Sequence, residues 1–359
     1  MARAIGIDLG TANTLVHMSG KGIIIREPSV VAINKNTNEV LAVGDAAKRM
    51  IGRTPGSVVA IRPLKDGVIA DFDMTEQMLR YFIRKASQSA GFGKPNLIIC
   101  IPSGVTEVEY MAVEEAAERA GAKKKPLLFE EPLLAAIGAG LPIEEASGCM
   151  IVDIGGGTSE VAVISMGGIV NSKSLRVAGD KLDEYISLYT KREHNMVIGE
   201  RTAEDIKLTI GAAHPKPQEE YMEIKGRDLL TGLPKNVRIS SSEVVEAIRE
   251  PVTAIVDAIK EALEETPPEL AADIMDKGIM LTGGGALLSG LDKIIKIETG
   301  MPVCIAENPL DCVALGTGKC LDACAIVQRM VSNLCHKEGS LDLALVFLHG
   351  GLGSAGWWS

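Results

Sequence analysis

Apolar residues along this chain follow two rhythms. Short β-branched runs such as Ile5-Gly6-Ile7, Leu97-Ile98-Ile99-Cys100-Ile101, Ile151-Val152 and Val161-Ala162-Val163-Ile164 read as buried strands. Longer stretches space their apolar residues by three and four. Met78, Leu79, Phe82, Ile83 and Ala86 mark one face of a helix over 75–90, with Thr75 as its expected cap. In the first half the pattern predicts strands at 22–25 and 28–33, a hairpin over 36–43, a short helix over 45–51 and a strand at 58–61. A strand over 96–102, a helix over 107–120, a strand at 127–129 and a helix over 133–139 follow.

The second half repeats the programme. Strands fill 148–177, a helix opens near Gly179, and another starts at Thr202, read as its cap with Asp205 at the capping-box position. A small sheet with a polar loop at 226–235 comes next. Ser240-Ser241-Ser242-Glu243 then caps one long amphipathic helix reaching about 265, ended by Thr266-Pro267-Pro268. A strand over 278–282, a helix over 287–297, a strand at 302–305 and a helix pair over 311–330, split near Gly316-Thr317-Gly318, complete the series.

Two interruptions of this pattern carry the candidate chemistry. In Ile151-Val152-Asp153-Ile154-Gly155-Gly156-Gly157-Thr158-Ser159-Glu160 an aspartate sits in an apolar strand that collapses into three glycines. Glycines let backbone N–H groups converge on phosphate oxygens, and a strand aspartate needs a cation or hydrogen bonds to offset its burial. A glycine-rich hairpin with a structural aspartate is the plainer alternative. The same design recurs at Ile7-Asp8-Leu9-Gly10-Thr11-Ala12-Asn13-Thr14. Two such turns imply a duplicated unit gripping a polyphosphate across a cleft.

Two further places qualify. Glu130-Glu131-Pro132 opens a helix after a buried strand, where the carboxylates can serve the positive helix end or, for Glu131, catalysis. Gly283-Gly284-Gly285-Ala286 turns a strand toward a helix, admitting a flat ligand or relieving a tight corner.

Composition narrows the class. At 359 residues, 46% hydrophobic and 23% charged, the chain can bury a large core in two lobes. A net charge of −10 argues against nucleic acid as a partner, and Lys123-Lys124-Lys125 reads as a solvated loop. Seven cysteines without paired or zinc-type spacing, in a chain whose first strand leaves no room for a leader, indicate reduced cytosolic thiols. No apolar run reaches the roughly 20 residues of a membrane span.

With these motifs in place the chain resembles the actin-like ATPase superfamily of actins, sugar kinases and DnaK-type chaperones. Within it the chain is most similar to the MreB family of bacterial actins. The likeness runs over about 4–330 and is carried by Asp8-Leu9-Gly10-Thr11-Ala12-Asn13-Thr14-Leu15, Arg26-Glu27-Pro28-Ser29, Asp66-Gly67-Val68-Ile69-Ala70-Asp71, Arg176-Val177-Ala178-Gly179-Asp180 and Leu281-Thr282-Gly283-Gly284-Gly285-Ala286.

The resemblance implies an α/β fold of two RNase H-like lobes, each with an inserted subdomain. Lobe I would comprise 1–33, 67–141 and 318–335, with 34–66 inserted. Lobe II would comprise 142–178 and 252–317, with 179–251 inserted, leaving 336–359 as a divergent tail. It further implies Mg-ATP in the cleft. Thr11, Ala12 and Asn13 would hold phosphates with Gly155, Gly156 and Gly157. Glu204, Asp205, Ile206 and Lys207 would border the adenosine, with Gly283, Gly284, Gly285 and Ala286 under the base and ribose. Asp8 and Asp153 would position Mg²⁺ through water, and Glu131, with Thr158, would activate the attacking water.

The implied partners are further copies of the chain in filaments, cell-wall elongation proteins of the MreC, MreD and RodZ type, and the inner face of the cytoplasmic membrane. The family's amphipathic N-terminal helix is missing, which leaves the loop at Phe92 as the membrane contact. The apolar run at 341–348 is too short to span a bilayer and departs from the family. A non-filamentous kinase of the same superfamily is the alternative. A DnaK-type chaperone is excluded because no peptide-binding domain follows.

Overall fold

The computed structural model describes residues 4–90 and 93–322, so the expectations placed on Phe92 and on 323–359 lie outside the described residues. Two five-stranded sheets form the frame, and they have one topology. In the first, Ala4–Leu9 is central, pairing antiparallel with Asn13–Met18 and parallel with Asn96–Ile101. Gly22–Pro28 and Leu127–Glu130 close its edges. In the second, Cys149–Ile154 is central, flanked by Ser159–Ser165 and Gly168–Leu175 on one side and by Ile279–Thr282 and Val303–Ile305 on the other. The duplicated unit inferred from the two aspartate turns is therefore a duplicated sheet.

Each lobe carries a small insertion at one end. In lobe I, Val31–Asn34, Val40–Val43 and Val58–Ile61 form a three-stranded sheet beside the short helix Asp45–Lys48. In lobe II, the hairpin Tyr221–Asp228 with Pro234–Ser240 pairs with Met196–Val197. The loop at 229–233, expected to be polar, exposes Leu230 and Leu233. Among the described residues no helix is long and apolar enough to cross a membrane.

Three large cores hold this together. One fills lobe I and another fills lobe II. The third mixes Ala4, Ile98 and Phe129 of the first sheet with Ile151, Ala162 and Ile164 of the second, through the helices Glu131–Ala139 and Cys312–Asp322. That helix pair is the shared wall between the lobes. Its glycines are there for packing. A Cβ on Gly316 would overlap the Leu134 carbonyl, and one on Gly138 would overlap that of Cys312. The predicted split at Gly316-Thr317-Gly318 is thus a continuous helix, because close helix contact stabilises what glycine propensity would disfavour.

Other boundaries moved for local reasons. The helix expected from Thr75 starts at Phe72: the Asp71 carboxylate accepts from the Met74 N–H at 3.1 Å, and the Thr75 hydroxyl turns back to the Asp71 carbonyl. Thr202 lies inside the helix Glu200–Ile210, whose cap is Gly199. Ser240 and Glu243 do form a capping box, but the helix breaks into Ser241–Ala247 and Arg249–Glu264. Pro251 has no N–H to offer the Ala247 carbonyl, which ends the first segment. An unexpected helix, Pro268–Lys277, starts on the proline expected to stop its predecessor.

Candidate active site

Both central strands end one residue after their aspartate, in turns with the same backbone bond. Gly10 N–H donates to the Asn13 carbonyl at 3.1 Å, and Gly155 N–H to the Thr158 carbonyl at 2.9 Å. The turns face each other closely. A Cβ on Gly156 would lie 2.5 Å from the Ala12 Cβ, and one on Gly157 would lie 2.5 Å from Thr11 Oγ1. None of Gly155, Gly156 and Gly157 has a positive φ, so space rather than backbone strain demands glycine here.

A third element caps the pair. Leu64–Lys65 and Val68–Ile69 form a tight hairpin whose Asp66-Gly67 turn has φ of 52° and 79°, the geometry that Asp-Gly favours. Its Gly67 N–H donates to Thr11 Oγ1 at 3.1 Å, and a Cβ on Gly67 would stand 2.7 Å from Thr158 Cγ2. Thr11, Asp66 and Gly157 line a cavity of about 600 Å³ that continues past Arg62 toward Asp180 and Glu200.

Beneath the turns lies a buried acidic cluster. Asp8 is pushed up to about 7 by burial and by the nearby charge of Asp153, and burial pushes Asp153 up to about 6. Glu131, the first residue of its helix, is held well above the usual carboxylate range by burial and by the charges of Asp153, Asp8 and Glu160. These shifts describe carboxyls whose charged forms are made costly by burial and by one another. Asp153 Oδ1 is buried and has no hydrogen-bond partner. A divalent cation meets both conditions, so the residues present fit Mg²⁺, with Asp8 and Asp153 as the groups that would hold it.

The remaining expected residues divide. Lys207 donates to the Gly179 carbonyl at 2.7 Å and to Asp183 at 2.8 Å, while the Gly179 and Asp180 N–H groups bond the Gly155 and Gly156 carbonyls. Lys207 is thus anchored to the helix start that braces the lobe II turn. Glu204 pairs with Lys48 of the lobe I insertion at 2.8 Å, spanning the cleft mouth. Asp205 is exposed and Ile206 is packed in the lobe II core. Gly283 and Gly285 back onto Ile154, where a Cβ would overlap it, and Ala286 is buried. Gly284 is open.

Several residues of the site went unassigned in the sequence. Arg62 bonds Asp180 at 2.9 Å and Glu200 at 2.6 Å across the cleft, and no local pattern marks such a pair. Glu160 was legible. It interrupts an apolar strand as Asp153 does, and it pairs with Asp153 across the ladder. It is fully buried, pushed up to about 7 by that burial, and accepts from Ser174 Oγ at 2.6 Å and from the Ser103 N–H of the other lobe at 3.1 Å.

Two lobes with one sheet topology, paired aspartate turns between them and an insertion on each define an actin-like protein. Comparison with known proteins narrows this class. The chain belongs to the MreB/Mbl family: the family model described as MreB/Mbl protein matches residues 2–329. The cell shape-determining protein Mbl of Bacillus subtilis (strain 168) is 58% identical over 321 residues, covering 89% of this chain and 96% of that protein. The cell shape-determining protein MreB of Escherichia coli (strain K12) is 53% identical over 323 residues, covering 89% and 93%. The crystal structure of MreB5 of Spiroplasma citri bound to ADP superposes with a TM-score of 0.86 at 41% identity, covering 90% of this chain and 97% of that one.

Proposed function

We propose that this chain is a cell shape-determining, actin-like ATPase that assembles head to tail into filaments. The observation that carries the reading is the pair of aspartate turns, one from each copy of the duplicated sheet, facing each other across a single cleft. Support comes from relatives: the Bacillus and Escherichia proteins determine cell shape by name, and Spiroplasma MreB5 binds ADP and AMPPNP. The duplicated cleft fits a kinase equally well, and the relatives favour the filament.

In this reading the Gly10–Asn13 and Gly155–Thr158 turns hold the phosphates, while Glu204 and Lys207 border the nucleoside. Asp8 and Asp153 would hold Mg²⁺, which when bound would neutralise charge on the phosphates. Glu131 takes a proton from the attacking water as its oxygen bonds the γ-phosphorus and the bond to the β–γ bridging oxygen breaks; Thr158 orients that water. ATP bound by both turns draws the lobes together and favours the head-to-tail contact. A contact that never closes into a ring yields an open filament. The filament lies on the inner face of the cytoplasmic membrane and engages wall-elongation proteins of the MreC, MreD and RodZ type.

Electron microscopy of the purified chain with and without Mg-ATP, read beside phosphate release, tests this. Filaments that need Mg-ATP, and release that switches on above a critical protein concentration, are expected. Release proportional to protein at every concentration, without filaments, favours the kinase. Glu131→Ala should keep nucleotide affinity and lose about 100-fold or more in turnover; unchanged turnover removes Glu131 from the chemistry.

A further inference from the structure

The acidic cluster contains one group that Mg-ATP does not use. Cys100 lies buried at the end of the strand Asn96–Ile101, beside the central strand of lobe I. Its Sγ is 3.4 Å from Asp8 Oδ1 and accepts the Leu9 N–H at 3.2 Å. The ligand atoms of Asp8, Cys100 and Glu131 all lie within 4.8 Å of one another. On a tetrahedral zinc ion with Zn–S of about 2.3 Å and Zn–O of about 2.1 Å, sulfur and oxygen stand about 3.6 Å apart. The Cys100–Asp8 edge is therefore already close to its ligating length.

A second observation points to the same place. Asp153, only 3% exposed, has its buried Oδ1 without any hydrogen-bond partner, and its charge acts on both Asp8 and Glu131. We propose that, in the absence of nucleotide, Asp8, Cys100 and Glu131 capture a thiophilic divalent cation such as Zn²⁺, with water completing its coordination.

Sulfur makes the choice of ion. Mg²⁺ is a hard cation that takes oxygen, whereas a thiolate selects zinc or its softer neighbours. Capture exchanges the Cys100 S–H bond for a metal–sulfur bond and releases that proton to solvent. The ion occupies Asp8 and Glu131, which the proposed reaction assigns to Mg-ATP and to the water, so it acts as an inhibitor of turnover. Three ligands drawn from positions 8, 100 and 131 have no common spacing, which is why no zinc motif appears in the sequence.

The test uses the full, nucleotide-free chain with Cys304, Cys324 and Cys335 changed to serine, titrated with Co²⁺ alone and then with Zn²⁺. A thiolate-to-cobalt charge-transfer band in the near ultraviolet, displaced by Zn²⁺, is expected. In Cys100→Ser the band disappears and Zn²⁺ affinity falls at least about tenfold; in Glu131→Gln the band remains and the affinity falls. Absence of the band in the parent chain, or its survival in Cys100→Ser, overturns the proposal. The parent measurement decides even if Cys100→Ser fails to fold. Because no assembly or ATP is involved, the result is independent of the filament reading.

Discussion

In lobe I the turn after Asp8 reads Gly10-Thr11-Ala12-Asn13, and in lobe II the turn after Asp153 reads Gly155-Gly156-Gly157-Thr158. The strands, the aspartates and the closing hydrogen bond are the same in both. Side chains fill one turn and are missing from the other because the two face each other. Ala12 occupies the space over Gly156, and Thr11 the space over Gly157. A duplicated unit that closes on its own copy cannot stay symmetric at the point of contact. One copy keeps its side chains and the other gives them up.

The largest effect comes from refilling that space. Gly156→Val would drive the lobe II turn off Ala12, whose backbone nitrogen also stands 3.1 Å from the added Cβ. Affinity for a fluorescent ATP analogue should fall by about 100-fold or more, near 2.8 kcal/mol. A sharper version pairs Gly156→Ala with Ala12→Gly. The single alanine should weaken binding, and the double variant should recover most of it, since the two residues share one volume. Wild-type affinity in Gly156→Val would remove this turn from the nucleotide site.

The asymmetry also marks how far the sequence could be read. Duplication was visible in Asp8 and Asp153 because a charge in an apolar strand stands out from its neighbours. The reason for the second turn's glycines was not visible, since it lies in residues from the other half of the chain. The same holds for Gly316, which reads as a break and is a helix contact, and for Gly138, whose partner Cys312 lies far along the chain. Arg62 reaches Asp180 and Glu200 only after both insertions have folded over the cleft, so no spacing rule finds it. Thr75 and Thr202 were read as caps from residue type, while Asp71 and Gly199 cap those helices.

A middle-sized effect separates the two aspartates. Both have folded-state pKa values above the ordinary carboxylate value, about 7 for Asp8 and about 6 for Asp153. Between the unfolded and folded pKa the folded chain holds a proton that the unfolded chain has released, so stability falls as pH rises. The destabilising contribution is absent below about pH 4 and complete above about pH 7 for Asp8, and above about pH 6 for Asp153. Nucleotide-free Asp8→Asn should therefore lose less melting temperature than wild type between pH 5 and pH 8, by a few degrees. Asp153→Asn should show a smaller difference that is nearly complete by pH 6. Parallel melting curves for wild type and both variants would show that burial and mutual repulsion do not raise the two carboxyls.

The smallest effect tests a side-chain bond that the lobe I turn makes and that the matching residue of the lobe II turn cannot. Thr11 Oγ1 accepts the Gly67 N–H, fixing the Asp66-Gly67 hairpin against Thr158; the matching position in lobe II, Gly156, has no side chain to offer. Thr11→Val keeps the shape and removes the acceptor, leaving the Gly67 N–H without its partner at a cost of about 1–2 kcal/mol. The fold should survive this, because the strands on either side of Thr11 are buried and fully paired. Phosphate release should slow several-fold as the hairpin loosens over Thr158, while Thr11→Ser, which keeps the hydroxyl, should stay close to wild type. Equal rates in all three would mean that Thr11 only fills the volume opposite Gly157, and that the two turns differ in bulk alone.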